Sequence, residues 1–323
     1  MSQEQTKGRQ LKISYDARQN IIVIAVFVIL MAFFGVMSPY FLKPANLAAL
    51  LTAAVPLGLI GIGECVCLIT GQFDMSVGMV ASLAGVIWTM LITELNMPIY
   101  LAFAIALLFG AFSGLLAGIS VSVFHMPAWM TTYALYQIWQ GVIYVLTNGE
   151  AISMSSYPAF KYLGQHKIFG SSITWAIIIM LLTYVVMFLV LRYTKLGRDL
   201  FVVGGNIEAA RNVGLNIRFT HTFVFVLSGV LAALAGLLFA SRSGSGQPVI
   251  GELYAMQAIA GAVIGGTAMV GGKANVLMTF VGVMIVVTLQ NGLNMINVSS
   301  FYQHIAIGVV LVLAILVQTK RRK

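Results

Sequence analysis

The feature that most constrains this chain is the length of its stretches without a charged side chain. Residues 95–149, 168–191 and 274–319 contain no Lys, Arg, Asp or Glu. A membrane-spanning helix needs about 20 mostly apolar residues, so each stretch is long enough for one or two crossings. Only 8% of all residues are charged, against about 25% in soluble domains. The chain is therefore predicted to be an all-α, polytopic integral membrane protein.

The charge-free stretches predict about ten transmembrane helices. We expect them at 21–37, 44–63 with a possible continuation to 69, 75–93, two within 95–149, then 168–191, 219–241, 253–272, and two within 274–319. The pair within 95–149 is expected to meet near His125, Met126 and Pro127. The last pair is expected to separate at 291–294, because Asn-Gly-Leu-Asn is typical of a turn.

Basic residues indicate which ends of these helices face the cytoplasm. Thirteen of the eighteen Lys and Arg lie in three clusters, at 7–18, 192–218 and 320–323. Such clusters stay in the cytoplasm under the positive-inside rule, and ten crossings place all three on one side. The net charge of +9 thus indicates topology, and no nucleic-acid partner is expected.

The whole chain, 1–323, is predicted to be a single transmembrane domain in the lipid bilayer with both termini in the cytoplasm. Three segments are expected to lie outside the membrane on that side: an N-terminal segment at 1–20, a loop at 192–220 and a basic tail at 318–323.

No residue pattern in the sequence is typical of catalysis or of metal binding. The four His are scattered, and Cys65 and Cys67 lie within an apolar stretch. The string Gly-Gly-Lys-Ala at 271–274 matches a phosphate-binding loop only in part, since the required Ser or Thr is replaced by Ala274. We therefore expect a protein that is not an enzyme and that binds no cofactor or metal itself.

A short capped helix is predicted within the 192–220 loop. Asn206 is a favourable N-cap residue, and Glu208 lies in the first turn, where an acidic side chain is stabilising. Gly214 suits the left-handed position that follows a helix. The helix would have about seven residues and a length near 10 Å. It could dock on a partner, and a plain connecting turn is the alternative interpretation.

Polar residues between the second and third spans form a further candidate site. Gln72, Asp74 and Ser76 place an amide, an acid and a hydroxyl there, and ionisable groups at this depth are costly unless paired or hydrated. Asp74 either caps the third span or contributes to gating or to a solute path. Glu64, inside the second span, either carries a proton or faces a cavity or partner.

Later in the chain, a hydroxyl and two amides could line a polar path for a hydroxylated solute. They belong to Thr267, Asn291 and Asn294, although the two Asn are favoured as part of the expected turn. Gly110, Gly114 and Gly118 have the spacing of small residues that allows helices to pack closely in a bilayer.

Taken together, the motifs resemble those of a known family, the permease subunits of monosaccharide ABC importers, ribose-type above all, within the branched binding-protein-dependent permeases. The matching strings run in family order over nearly the whole chain, at 71–78, 194–198, 205–214, 265–273 and 291–303. Glu64 and the pair Gln72-Phe73 depart from the family pattern, so the resemblance does not identify the sugar.

The resemblance implies a ten-span subunit in the bacterial inner membrane that pairs with a second permease copy. It also implies a cytoplasmic ATPase with two nucleotide-binding modules, which binds ATP and Mg, and a sugar-binding protein outside. The family's coupling helix carries over to Glu208, Ala209, Ala210 and Gly214, following the predicted cap at Asn206. The competing class is a secondary transporter or channel driven by an ion gradient, with Asp74 or Glu64 as its proton site.

Overall fold

The computed structural model describes residues 15–168, 172–299, 301–303, 305–309, 312 and 316. Twelve α-helices are found among them, with two short strands and one 3-10 turn at Pro158–Lys161. The helices are α1 Tyr15–Met37, α2 Pro44–Ile69, α3 Val77–Thr93, α4 Ile99–Ser122, α5 Ala128–Thr147, α6 Tyr162–Gln165, α7 Trp175–Tyr193, α8 Lys195–Gly205, α9 Ile207–Asn212, α10 Ile217–Ser243, α11 Tyr254–Ile264 and α12 Val276–Met295.

Six of the described helices are long and apolar enough to cross a membrane: α1, α2, α4, α7, α10 and α12. Two further apolar helices, α3 and α11, are shorter. The prediction of an all-α, polytopic membrane protein is confirmed. Residues 1–14 of the predicted N-terminal segment, and the predicted tail at 318–323, lie outside the described residues.

Several predicted helix boundaries are confirmed. α2 runs without interruption to Ile69, which corresponds to the longer of the two predicted versions. The charge-free stretch 95–149 divides into α4 and α5 at the expected residues, with His125 in a left-handed backbone conformation (φ 55°) and Pro127 at the N-cap of α5. Proline lacks the backbone N–H that a helix interior needs, so the break falls there.

The predicted turn at 291–294 is wrong, because α12 continues through these residues to Met295. The Asn291 side chain exchanges hydrogen bonds with the side chain of Asn46 on α2, at 3.1 and 3.2 Å. A polar side chain that finds a partner on a neighbouring helix does not compete with its own backbone. The helix ends instead at Met295, with Ile296 as its C-cap residue, and Asn297 follows with a φ of 59°.

The predicted span 253–272 is only half helical. α11 covers 11 residues, Tyr254–Ile264, or about 16 Å at the rise of an α-helix. The irregular segment 247–253 precedes it and runs along α3, from Gly246 beside Thr89 to Gly251 beside Gly78. The Gly251 N–H donates to Ser82 Oγ at 3.0 Å, so this backbone is satisfied inside the bundle.

α10 lies at the centre of the molecule and packs against α4, α2 and α3. Its approach to α4 is close because of the spaced glycines: a Cβ added at Gly110, Gly114 or Gly118 would meet the α10 backbone at Gly229, Phe225 or Thr222. Small residues allow this contact between backbones within a bilayer. The close packing predicted from the glycine spacing is confirmed for this pair of helices.

One end of the bundle gathers the termini of several helices, and we call it the α9 end. The Gly272 N–H donates to the carbonyl of Ile69 at 2.8 Å. Gly204 in α8 packs against the same carbonyl, and Gly266 packs against Gln19 near the start of α1. α9 itself contacts α8 and α10. The start of α1, the end of α2 and the loop at 265–275 therefore share this end.

The opposite end holds the contact of Asn46 with Asn291 and a small antiparallel sheet. Its strands are β1, Ile152–Ser153, and β2, Ser245–Gly246, with Ile152 opposite Gly246. The sheet joins the segment after α5 to the segment after α10. It fixes two connections that are far apart in sequence.

Candidate functional site

The predicted short helix is present as α9, which spans six residues. Asn206 caps it as expected, since its Oδ1 accepts a hydrogen bond from the Ala209 N–H at 2.9 Å. Glu208 lies exposed in the first turn, and Ala210 is fully buried. The element is thus anchored by a small apolar residue and presents its acidic one outward.

The C-terminal end of α9 also follows the local rules. The Leu215 N–H donates to the Ala210 carbonyl at 3.1 Å, and the Gly214 N–H donates to the Arg211 carbonyl at 3.0 Å. Gly214 has a φ of 78°, so this is a Schellman motif with glycine in the left-handed position. The helix exists as predicted, and its coupling role stays a prediction.

Asp74 is buried in a polar turn between α2 and α3. Its Oδ1 accepts hydrogen bonds from the backbone N–H of Ser76 at 2.9 Å and from the Ser76 hydroxyl at 2.6 Å. Ser76 is the N-cap residue of α3, and its own side chain makes no capping bond. These contacts support the interpretation of Asp74 as a structural cap, and they do not test a gating role.

Glu64 lies beside this turn and is also fully buried. Its Oε2 accepts a hydrogen bond from the Asp74 N–H at 3.3 Å, whereas Oε1 has no hydrogen-bond partner. Ser228 of α10 packs against Gly63, the residue before Glu64, and lies near the Asp74 carboxyl group. Two carboxyl groups thus share one buried pocket of side chains where α2, α3 and α10 meet.

The remaining predicted path residues do not form one site. Thr267 is fully buried and its hydroxyl lies 3.4 Å from both Cys65 Sγ and Thr279 Oγ1. Asn291 and Asn294 lie at the opposite end, in the last turns of α12. Asn46, the partner of Asn291, is 23 positions before Ile69 on α2, which corresponds to about 35 Å along the helix.

Gln72 lines a cavity at the α9 end with a volume of about 620 Å³. The turn between α4 and α5 forms one wall, and α9 with the start of α10 forms the other. Among the described residues there is no group of three or more His, Cys, Asp or Glu that could hold a metal ion.

A polar face on α5 is a candidate that the sequence analysis missed. Tyr133, Gln137, Gln140 and Tyr144 follow one another at the spacing of a single helix face. Tyr133, Gln137 and Tyr144 are exposed, and Gln140 is partly exposed. Within the described chain α5 packs mainly on α3 and α4, so the α5 polar face is left uncovered.

The α5 polar face explains why α5 is not among the six helices that are long and apolar enough to cross a membrane. Its 20 residues reach about 30 Å, the thickness of the hydrocarbon core, but its amides and tyrosines lower its hydropathy. Polar side chains at membrane depth normally face a water-filled cavity or another protein surface. The sequence signal for this face is the recurrence of Tyr and Gln at helical spacing within the charge-free stretch 95–149.

Comparison with known proteins agrees with this architecture. The family model described as "Branched-chain amino acid transport system / permease component" matches residues 46–315. The ribose import permease protein RbsC of Bacillus subtilis is 32% identical over 99% of both chains. RbsC of Escherichia coli K12 is 32% identical over 93% of both chains.

A further relative is an L-arabinose ABC transporter permease protein, AraH, of Azospirillum brasilense. It is 32% identical over 93% of this chain and 87% of its own length. No solved structure matches the chain. A family match over most of the chain and full-length relatives at this identity establish the assignment: the chain belongs to the family of branched-chain amino acid transport system permease components.

Proposed function

We propose that the chain is the membrane permease subunit of an ATP-driven importer of a monosaccharide, ribose or a related pentose or hexose. The full-length relatives named above are ribose and arabinose permeases, one of them of an ABC transporter. The protein would carry out no bond chemistry. ATP and Mg would bind to a separate cytoplasmic ATPase with two nucleotide-binding modules, and a sugar-binding protein outside would deliver the solute.

The α5 polar face is the observation that supports a solute path best. Hydroxyl and amide groups at Tyr133, Gln137, Gln140 and Tyr144 can exchange hydrogen bonds with sugar hydroxyls, and aromatic rings can contact the apolar face of a sugar ring. Because this face is uncovered in one chain, we propose that a second permease copy lies opposite it. The sugar would pass between the two copies.

Coupling to the ATPase would pass through α9. The helix is short, capped at both ends and held against α8 and α10, so a push on it would move both neighbours. Asn206, Glu208, Ala209, Ala210 and Gly214 form this coupling element in our proposal. Gln72, Asp74, Ser76 and Thr267 would transmit or gate the motion at the α9 end, and Asn291 and Asn294 would act at the opposite end.

We further propose ten crossings of a bacterial inner membrane, with the α9 end in the cytoplasm. Six apolar helices, the shorter α3 and α11, the polar α5 and the segment that contains the helical residues 301–303 and 305–309 would provide them. Arg18 and the basic residues between α7 and α10 lie at the α9 end, as the positive-inside rule requires of a cytoplasmic face.

Reconstitution tests the energy source. The purified chain is placed in proteoliposomes with or without its ATPase and sugar-binding protein, and uptake of ribose and of arabinose is measured. We expect uptake only with all components and ATP, and no loss when a protonophore dissipates the proton gradient. Uphill uptake by the chain alone on an ion gradient would contradict the proposal and favour a secondary transporter using Asp74 or Glu64.

Substitutions on α5 test the path separately. Gln137→Leu and Gln140→Leu each remove hydrogen-bonding groups from the α5 polar face, and sugar uptake is expected to fall about fivefold, the equivalent of one net hydrogen bond. Val145→Leu is the control, because Val145 is an exposed apolar residue on the same helix. Equal uptake in all three variants would remove the α5 polar face from the path.

A further inference from the structure

The cavity at the α9 end has a chemical character that sugar transport does not explain. Arg211 of α9, Arg218 and His221 of α10, and His125 of the α4–α5 turn all line it. Among the described residues of its lining there is no Asp or Glu. Two guanidinium groups and two imidazole rings in one cavity of about 620 Å³ are suited to an anion.

His221 forms part of the wall of this cavity and has an unmet hydrogen-bonding group. Its side chain is only 8% exposed, and Nε2 is buried without a hydrogen-bond partner. Nearly all buried polar atoms in proteins have a partner, so an exception calls for an explanation. The Nε2 atom has no surface open to the cavity, so the positive charge that an anion meets there comes from Arg211 and Arg218.

Large apolar side chains that line the cavity or are next in sequence to its lining residues indicate where the anion comes from. Phe124 and Met126 belong to the α4–α5 turn, Trp129 to the first turn of α5 and Phe219 to the first turn of α10, and each is between 46% and 70% exposed. Trp is enriched where a protein meets the lipid headgroups. Basic pockets between transmembrane helices on the cytoplasmic side are suited to anionic headgroups.

We propose that this cavity binds the phosphate group of an anionic membrane phospholipid, whose acyl chains lie along the apolar edge. Arg211 and Arg218 make charge-assisted hydrogen bonds to the phosphate oxygens, and His125 and His221 complete the wall of the cavity. The lipid is placed in the cytoplasmic leaflet, which is the one point that rests on the proposed orientation.

Such a lipid joins α9 to the bundle. Arg211 belongs to the short helix and Arg218 to the long one, so a phosphate held by both fixes their relative position. The lipid composition of the membrane then affects how firmly α9 is held. Sugar binding and ATP hydrolysis are not required for this contact.

The experiment uses the full-length chain in mild detergent without its ATPase, and counts bound lipids by native mass spectrometry. Phosphatidylglycerol is titrated against phosphatidylcholine. Arg218→Gln is expected to weaken phosphatidylglycerol binding about tenfold, which corresponds to one lost charge-assisted hydrogen bond. Arg198→Gln is the matched control, since it removes the same charge from exposed Arg198 on α8, outside the cavity.

Two further measurements keep the result interpretable. Arg218→Lys preserves the charge and should retain most of the binding. Millimolar inorganic phosphate is added as a competitor. We expect it to displace little phosphatidylglycerol, because it gains nothing from the apolar edge.

The following results would overturn the proposal. Equal loss in Arg218→Gln and Arg198→Gln would mean a non-specific charge effect. Tight binding of inorganic phosphate without phosphatidylglycerol would show a free-anion site, and unchanged phosphatidylglycerol binding in Arg218→Gln would show that the lipid does not bind in this cavity. Because no sugar or ATP is present, any of these leaves the transport proposal to its own test.

Discussion

At the scale of the residue, Asp74 illustrates how a carboxyl group is accommodated inside a membrane bundle. It is 1% exposed, and one oxygen accepts both hydrogen bonds that Ser76 can donate. Its own N–H donates to Glu64. The Asp74 side chain therefore binds the start of α3, and its backbone N–H binds α2, so this one residue holds the polar turn to both helices.

Asp74→Ala should destabilise the fold by about 2–4 kcal/mol, because it leaves two buried donors without an acceptor. Asp74→Asn is the control, since an amide oxygen can still accept from Ser76, and it should cost less than half as much. Thermal unfolding of the purified chain in detergent measures both. Equal melting temperatures for Asp74→Ala and the unsubstituted chain would show that the turn does not need this side chain.

Substitution of Glu208 tests the coupling role proposed for α9. Glu208→Lys places a cation in the first turn of α9, where the helix dipole disfavours it by about 0.3–1 kcal/mol. We expect the variant to reach the membrane at normal levels and to lose ATP-dependent sugar uptake. Glu208→Gln, which only removes the charge, should lose less. Normal uptake in Glu208→Lys would exclude Glu208 from the mechanism.

The two ends of α9 show what local sequence rules can predict. Asn206 and Gly214 were identifiable because capping depends on a few neighbouring positions and on one φ angle. The partners of Asn291 and Glu64 were not, because Asn46 and Asp74 reach them only through the packing of separate segments.

At the scale of the element, the α4–α10 pair determines how closely the bundle packs. Gly114 faces the backbone of Phe225 and Val226 on α10, so any side chain at that position would separate the helices. Gly141 on α5 has no atom near the position of an added Cβ. The two glycines provide a contrast between a contact and an open surface.

Gly114→Ala is expected to destabilise the chain by about 1–3 kcal/mol through overpacking. Gly141→Ala should be neutral or slightly stabilising, because alanine is the better helix former. Melting temperatures of the two variants in the same detergent give the comparison. A stable Gly114→Ala variant would mean that α4 and α10 can separate at little cost.

Helices were predictable from the sequence where a long stretch without charged residues marks them. The apolar segments that became α1, α4, α7 and α10 stand out because they lie between charges. α11 and the end of α12 were predicted less well, because the half-length of the former and the continuation of the latter depend on tertiary contacts. The α5 polar face could be found only by looking for polar residues at helical spacing inside an apolar stretch.

At the scale of the whole molecule, the α9 end brings together segments from the full length of the chain. The start of α1, the end of α2, α8, α9 and the loop at 265–275 all meet there. α2 and α12 both connect this end to the Asn46–Asn291 contact, because α12 follows the loop at 265–275 and contains Asn291. A disturbance at one end thus has a continuous helix through which it can reach the other.

Cysteine labelling tests the proposed topology. Glu150→Cys places a thiol at an exposed position after α5, and Val213→Cys places one directly after α9. A third cysteine is added after Lys323. A membrane-impermeant maleimide should label Glu150→Cys in intact cells and the other two only in inside-out vesicles. The native Cys65 and Cys67 are fully buried and should stay unlabelled. Labelling of the C-terminal cysteine in intact cells would contradict ten crossings.

The irregular segment 247–253 has a mechanical consequence. A continuous helix keeps a fixed length, because every stretch or compression breaks i to i−4 hydrogen bonds. The proposed crossing that contains α11 is helical for only about half of the hydrocarbon thickness, and its other half is held by isolated bonds such as that between Gly251 and Ser82. This crossing can therefore absorb a vertical shift between the two leaflets while α3 and α10 remain rigid beside it.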